Sequence, residues 1–112
     1  MTEKGTSPVQ IIPRYRLLIQ YDIRLDMYEP YYQFIMNEFL PGMQNMGLHP
    51  VAAYHTAYGN YPLRQMDFVS ESLDTVREVF ESERWGTLEN QLKAFTIHYD
   101  RKVVRYRDTF QF

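Results

Sequence analysis

Cysteine is absent from this 112-residue chain, which excludes disulfides, thiol nucleophiles and thiolate metal sites and leaves the redox compartment open. Long apolar runs are absent too, and none approaches the roughly 20 residues of a membrane-spanning helix. The opening Met1-Thr2-Glu3-Lys4-Gly5 lacks the apolar stretch of a signal peptide, so a soluble, cytoplasmic protein is expected. An excess of positive charge is also missing. Twelve Lys and Arg face fourteen Asp and Glu for a net charge of −2, which argues against nucleic acid as a partner. Gly-x-Gly-x-x-Gly, Gly-x-Ser-x-Gly, Glu-x-x-His and His-Glu-x-x-His patterns do not occur. Dinucleotide, nucleophilic and zinc-hydrolase chemistries therefore have no positive support, and neither a metal nor a cofactor is expected.

What is present suits one globular domain. Hydrophobic residues make up 45% and charged residues 23% of the chain, an ordinary balance for a soluble protein of this length. Aromatics are plentiful at 16%, with ten tyrosines and seven phenylalanines. A tyrosine ring suits positions where one end is buried and the other wet, which sheet faces, interfaces and polar cavities all provide.

The hydrophobic period changes along the chain in an informative order. Residues 1–13, with Gly5, Ser7, Pro8 and Pro13, read as a loose leader, and the domain occupies 14–112. From Tyr15, alternation sends Leu17, Ile19, Tyr21 and Ile23 to one face of a strand and Arg16, Leu18, Gln20 and Asp22 to the other. Asp26 and Glu29 resemble a capping box before a helix whose apolar stripe is Tyr32, Ile35, Met36, Phe39, Met43 and Met46. Pro41 predicts a kink or tightened turn, and Gly47 a left-handed cap. Val51–Tyr58 and Leu63–Val69 form an antiparallel hairpin around Gly59-Asn60-Tyr61-Pro62, with a loop longer than two residues. Ser72 caps a short helix, a second helix joins it near Trp85, and Lys102–Phe112 closes the chain as a strand. Ile97 and Tyr99 could extend that strand's start. The order is β-α-β-β-α-β.

Several of these segments together resemble the NIPSNAP-like family of the ferredoxin-like dimeric α/β-barrel superfamily. They are the strand Tyr15-Arg16-Leu17-Leu18-Ile19-Gln20-Tyr21, the helix running through Phe39-Leu40-Pro41-Gly42-Met43 to Gly47, the hairpin, Ser72-Leu73-Asp74-Thr75-Val76-Arg77, and Trp85. The resemblance implies an α+β fold, a four-stranded antiparallel sheet with helices on one face. Two such sheets would pack through their other faces into a homodimeric barrel. It carries no catalytic residue set with it. The open sheet face supports a dimer independently, because Leu18, the tyrosines and the hairpin's apolar residues would otherwise form an exposed patch.

His55, mid-strand near Tyr54, Tyr58, Arg64 and Asp67, is the candidate general base, with Asp67 as its catalytic partner. Gln20, Tyr54, Tyr58 and Arg64 are the candidate ligand-binding residues. A histidine packed in an interface and satisfied by backbone is the plainer account of His55. His49 reads as a loop residue, and His98 as a cation at a helix end. Arg16, Gln20, Gln65 and Asp67 are polar within strands and would need partners if a dimer covered them. The functional expectation is a protein that binds a small hydrophobic or aromatic molecule between sheet and helices. A non-enzymatic homo-oligomeric interaction module and a cofactor-independent monooxygenase or isomerase are the alternatives.

Overall fold

The computed structural model describes residues 12–58 and 61–105, with the backbone alone for 52–58 and 61–63. Most of the expected leader, and the part of the closing strand beyond Arg105, lie outside the described residues. Strand β1 (Tyr15–Ile23) leads into helix α1 (Tyr28–Phe34), a π-helical turn (Ile35–Phe39) and helix α2 (Leu40–Asn45). Strands β2 (His49–Tyr58) and β3 (Tyr61–Ser70) follow, then helices α3 (Leu73–Glu81) and α4 (Glu83–Phe95), and strand β4 (Thr96–Arg105). The sheet is antiparallel with order β2-β3-β1-β4. It is the expected α+β, β-α-β-β-α-β arrangement, with the helices packed on one face.

Alternation along β1 works as its sequence implies. Leu17, Ile19, Tyr21 and Ile23 enter one core with Phe39, Met43, Phe68, Val76, Trp85, Leu88 and Leu92. Gly47 adopts φ 99°, and Leu48 N–H donates to Met43 O at 3.0 Å while Gly47 N–H donates to Gln44 O at 3.0 Å. These paired bonds satisfy carbonyls at the end of α2 in the expected left-handed cap. Ser72 also caps α3, its hydroxyl accepting from Thr75 N–H at 3.1 Å.

Local expectations fail in informative ways. Asp26 is not a cap: Met27 holds that position and no side chain caps α1, because Met27 N–H closes a turn onto Arg24 O at 3.0 Å and delays the helix by one residue. Pro41 widens the preceding turn rather than tightening it. Proline has no N–H for the carbonyl four residues back and its ring crowds that carbonyl; Leu40 N–H reaches back to Ile35 O, five residues away. The extra residue turns the apolar stripe by about 100°. Tyr31, Phe34, Ile35 and Phe39 are buried, whereas Tyr32 and Met36 are 42% and 64% exposed.

The joint between the last two helices falls at Ser82 rather than Trp85. Ser82 Oγ accepts from Trp85 N–H at 3.1 Å and so starts α4 itself. β2 and β3 keep register to the pair Tyr58 and Tyr61, which leaves two residues between the strands instead of a longer loop. β4 begins at Thr96.

Both edge strands carry irregularities. Between β2 and β3 the register steps at Val51, which has no partner while Pro50 and Ala52 face Phe68 and Asp67. Pro50 is tolerated there because an edge strand has N–H positions that owe no ladder bond. On β4 the register steps opposite Tyr21, between the pairs Gln20–Asp100 and Asp22–Ile97. His98 sits in that step at φ 57°, a left-handed conformation in which histidine is enriched among non-glycine residues. Its Nδ1 lies 2.8 Å from Asp22 Oδ2, so His98 is a bulge residue paired across the sheet and not a helix-end cation.

Candidate functional site

Two side-chain groups flank the central strands, one on each face of the sheet. On the helix side, the rotation imposed by the π turn leaves Tyr32 and Met36 facing outward beside Tyr31, Ile35 and Leu40. Opposite them stand Pro50, Val51, Arg64, Met66 and Phe68, and the space between is a cleft of about 360 Å³. Val51 reaches this wall through its bulge and is 55% exposed; redirecting a side chain is a common consequence of one extra residue in a strand.

Polar groups on the cleft wall are few, and Tyr31 is backed by Tyr21 in the core. Tyr21 and Tyr31 hydroxyls are 2.5 Å apart. Burial raises the pKa of Tyr21 far above the usual phenol value, with the neighbouring Tyr31 adding to it. Burial also raises Tyr31, against the opposing hydrogen bond from Tyr21 and the charge of Arg64. Both phenols are therefore neutral donors at physiological pH. Arg64, opposite Tyr21 in the register, donates from Nη2 to the Tyr32 hydroxyl, and its guanidinium lies 5.2 Å from the Tyr32 ring centroid. Its Nε is buried without a hydrogen-bond partner among the described residues.

The other face holds a polar chain. Gln20 Nε2 donates to Gln65 Oε1 at 2.5 Å, Gln65 Nε2 donates to Asp67 Oδ1 at 3.1 Å, and Arg16 Nε lies 3.9 Å from Asp67 Oδ2. Gln20, Gln65 and Asp67 thus find hydrogen-bond partners in one another, whereas Arg16 Nε meets Asp67 as an ion pair without a hydrogen bond among the described residues. Leu18, expected on an exposed apolar patch, is only 7% exposed within a single chain. It lies between Arg16 and Gln20 on its own strand and opposite Asp67.

The candidate residues read from the sequence therefore divide. Gln20 and Asp67 share the face away from the helices, whereas Arg64 lines the cleft. Arg64 and Asp67 are three positions apart, and an odd separation along a regular strand sends side chains to opposite faces. They do not form one site. His55 pairs with Arg64 and Tyr54 with Gln65 in the backbone register, but the side chains of His55, Tyr54 and Tyr58 lie outside the described residues. Among the described residues, no group of three or more His, Cys, Asp or Glu could hold a metal ion, and no helix is long and apolar enough to cross a membrane.

Tyr31, Tyr32, Met36 and Val51 were not recognisable as site residues from periodicity alone. One signal was available for the first pair: adjacent aromatics on a helix point about 100° apart, so one of them has to leave the core.

No family model matches the chain, and no curated protein matches it. Solved structures do. A NIPSNAP family protein from Agrobacterium tumefaciens strain C58 has a TM-score of 0.62 at 15% identity, over 91% of this chain and 93% of its own. An uncharacterized NIPSNAP domain protein from Burkholderia xenovorans gives 0.64 at 7% identity, over 87% and 98%. A putative antibiotic biosynthesis monooxygenase from Nitrosomonas europaea gives 0.59 at 11%, over 86% and 99%. At such identities the likeness is one of fold, and a shared fold does not carry an activity with it.

Proposed function

We propose that this chain of NIPSNAP-like fold binds a small apolar or aromatic molecule in the cleft between its first helix and the β2–β3 side of the sheet. The carrying observation is the cleft itself, about 360 Å³ and walled mainly by Tyr, Ile, Met, Leu and Phe side chains. Small-molecule sites have this character, roughly 300–1,000 Å³ with apolar walls and few fixed polar groups. Arg64 and the Tyr31 hydroxyl supply those polar groups, and a neutral phenol beside a cation can stabilise an oxygen that gains negative charge. An enzymatic version would add His55, which is opposite Arg64 in the register, as the group that takes a proton.

The test is methyl-resolved NMR with a panel of one- and two-ring aromatic compounds. Saturable shifts of the Ile35, Met36 and Met66 methyls are expected, with Val76 and Leu88 unmoved. Shifts confined to other methyls, or none at all, would remove the proposal and leave an interaction module as the better account.

We also propose a homodimer through the sheet face that carries no helix. Given the Gln20–Gln65–Asp67 chain and the burial of Leu18, its contacts would be more polar than the sequence implies. Sedimentation equilibrium should return twice the chain mass at micromolar concentration; a monomer there would dispose of the dimer.

A further inference from the structure

We infer that the molecule held in the cleft is a monoanion, a carboxylate on an aromatic or alicyclic skeleton, and that Arg64 is the residue that recognises it. This deepens the proposed function and rests on the cleft being the binding site. Among the described residues Arg64 is the single charged one on the cleft walls, and none of them there neutralises it. The nearest acid along its strand, Asp67, is directed to the opposite face, where Gln65 and Arg16 occupy it. The phenols of Tyr21 and Tyr31 stay protonated through burial and contribute no counter-charge.

The guanidinium is held in place by its hydrogen bond to the Tyr32 hydroxyl and its stacking over that ring at 5.2 Å. Stacking on Tyr32 alone explains the position of the group but leaves Nε buried and without a hydrogen-bond partner among the described residues. An unmade bond at a buried donor is costly. A carboxylate matches the planar fork of donors, because two parallel N–H···O bonds can form at once. One cation on apolar walls balances one negative charge, which favours a carboxylate over a doubly charged phosphate.

The experiment compares 2-naphthoate with 2-naphthamide, its uncharged isostere, by titration followed at the Met36 and Met66 methyls. Wild-type protein should bind the acid about tenfold or more tightly than the amide, the scale of a charge-assisted bond. Arg64→Gln should bring the acid down to the amide's affinity and leave the amide within about twofold, whereas Arg64→Lys should retain part of the preference because it keeps charge without the fork. If Arg64→Gln loses the native fold, Tyr32→Phe serves instead. It deletes only the hydroxyl of a residue 42% exposed and should reduce the acid-to-amide ratio about threefold. Equal binding of acid and amide at the cleft of the wild-type protein overturns the anion and leaves the cleft standing. If neither compound moves the cleft methyls, both conclusions fall together.

Discussion

Replacing Phe39 with alanine should destabilise the protein by about 3–5 kcal/mol, the usual cost of truncating a fully buried aromatic. Phe39 is 0% exposed and ends the π turn, with its ring 5.8 Å from that of Phe34 and 6.0 Å from that of Phe68. It therefore joins the first helix to the centre of the sheet. Its loss removes buried area and opens a void that packed neighbours on both sides can close only in part. Against a total stability of about 5–15 kcal/mol for a domain of this kind, a fifth or more of the margin goes. Urea denaturation followed by far-UV circular dichroism measures it as a lower midpoint at unchanged slope. A loss below about 1 kcal/mol would mean that Phe39 is not at the junction described.

Alkaline pH should unfold the protein through three tyrosines. Burial raises Tyr21 and Tyr31 above the ordinary phenol value of 10.0. It does the same for Tyr99, whose hydroxyl also donates to Glu89 at 2.8 Å. These groups are acids with folded pKa values above their unfolded ones, so the unfolded chain releases their protons first. Below about pH 9 both states hold the protons and stability is unaffected. Above about pH 10 stability falls by up to about 1.4 kcal/mol per pH unit for each such tyrosine, until the folded value is passed. Titration at 295 nm checks this directly. The folded protein should show at least three fewer phenolates than a urea-unfolded control, and the missing absorbance should appear together with loss of far-UV dichroism. All ten tyrosines ionising while the dichroism stays native would show that these rings are not buried. Tyr21→Phe should make the fall in stability shallower.

The order of elements was readable because each long segment keeps one period over many residues, as in Leu17, Ile19, Tyr21 and Ile23 on β1. Caps were readable where one side chain does the work, as at Ser72 and Gly47. The cleft was not, nor was the facing of β4, and the cause is the same in both. The π turn between Ile35 and Phe39, the bulge at Val51 and the bulge at His98 each insert one residue into a regular repeat. Periodicity read along a sequence assumes that none is inserted. A regular repeat therefore assigns Tyr32 and Met36 to the core although they line the cleft. Similarly, Thr96 faces the helices before His98, whereas Tyr99, Arg101 and Val103 face them after it, a reversal of parity that no alternating pattern reveals. Closeness in sequence groups Arg64 with Asp67, and the two-residue repeat of β3 separates them.

The π turn gives the cleft an unusual genetic character. It acts as one residue inserted into a regular helix, and the turn absorbs that residue locally, so the segments on either side keep their faces. Deleting a single codon between Ile35 and Phe39 would remove the turn and still leave Tyr31 in the core and Tyr32 beside Arg64. Keeping every codon while the turn closes to 3.6 residues would instead rotate the first helix by about 100° and carry Tyr32 to the place that Tyr31 occupies. A reading frame with one triplet fewer thus encodes the same cleft, whereas a substitution that lets the turn close fills it.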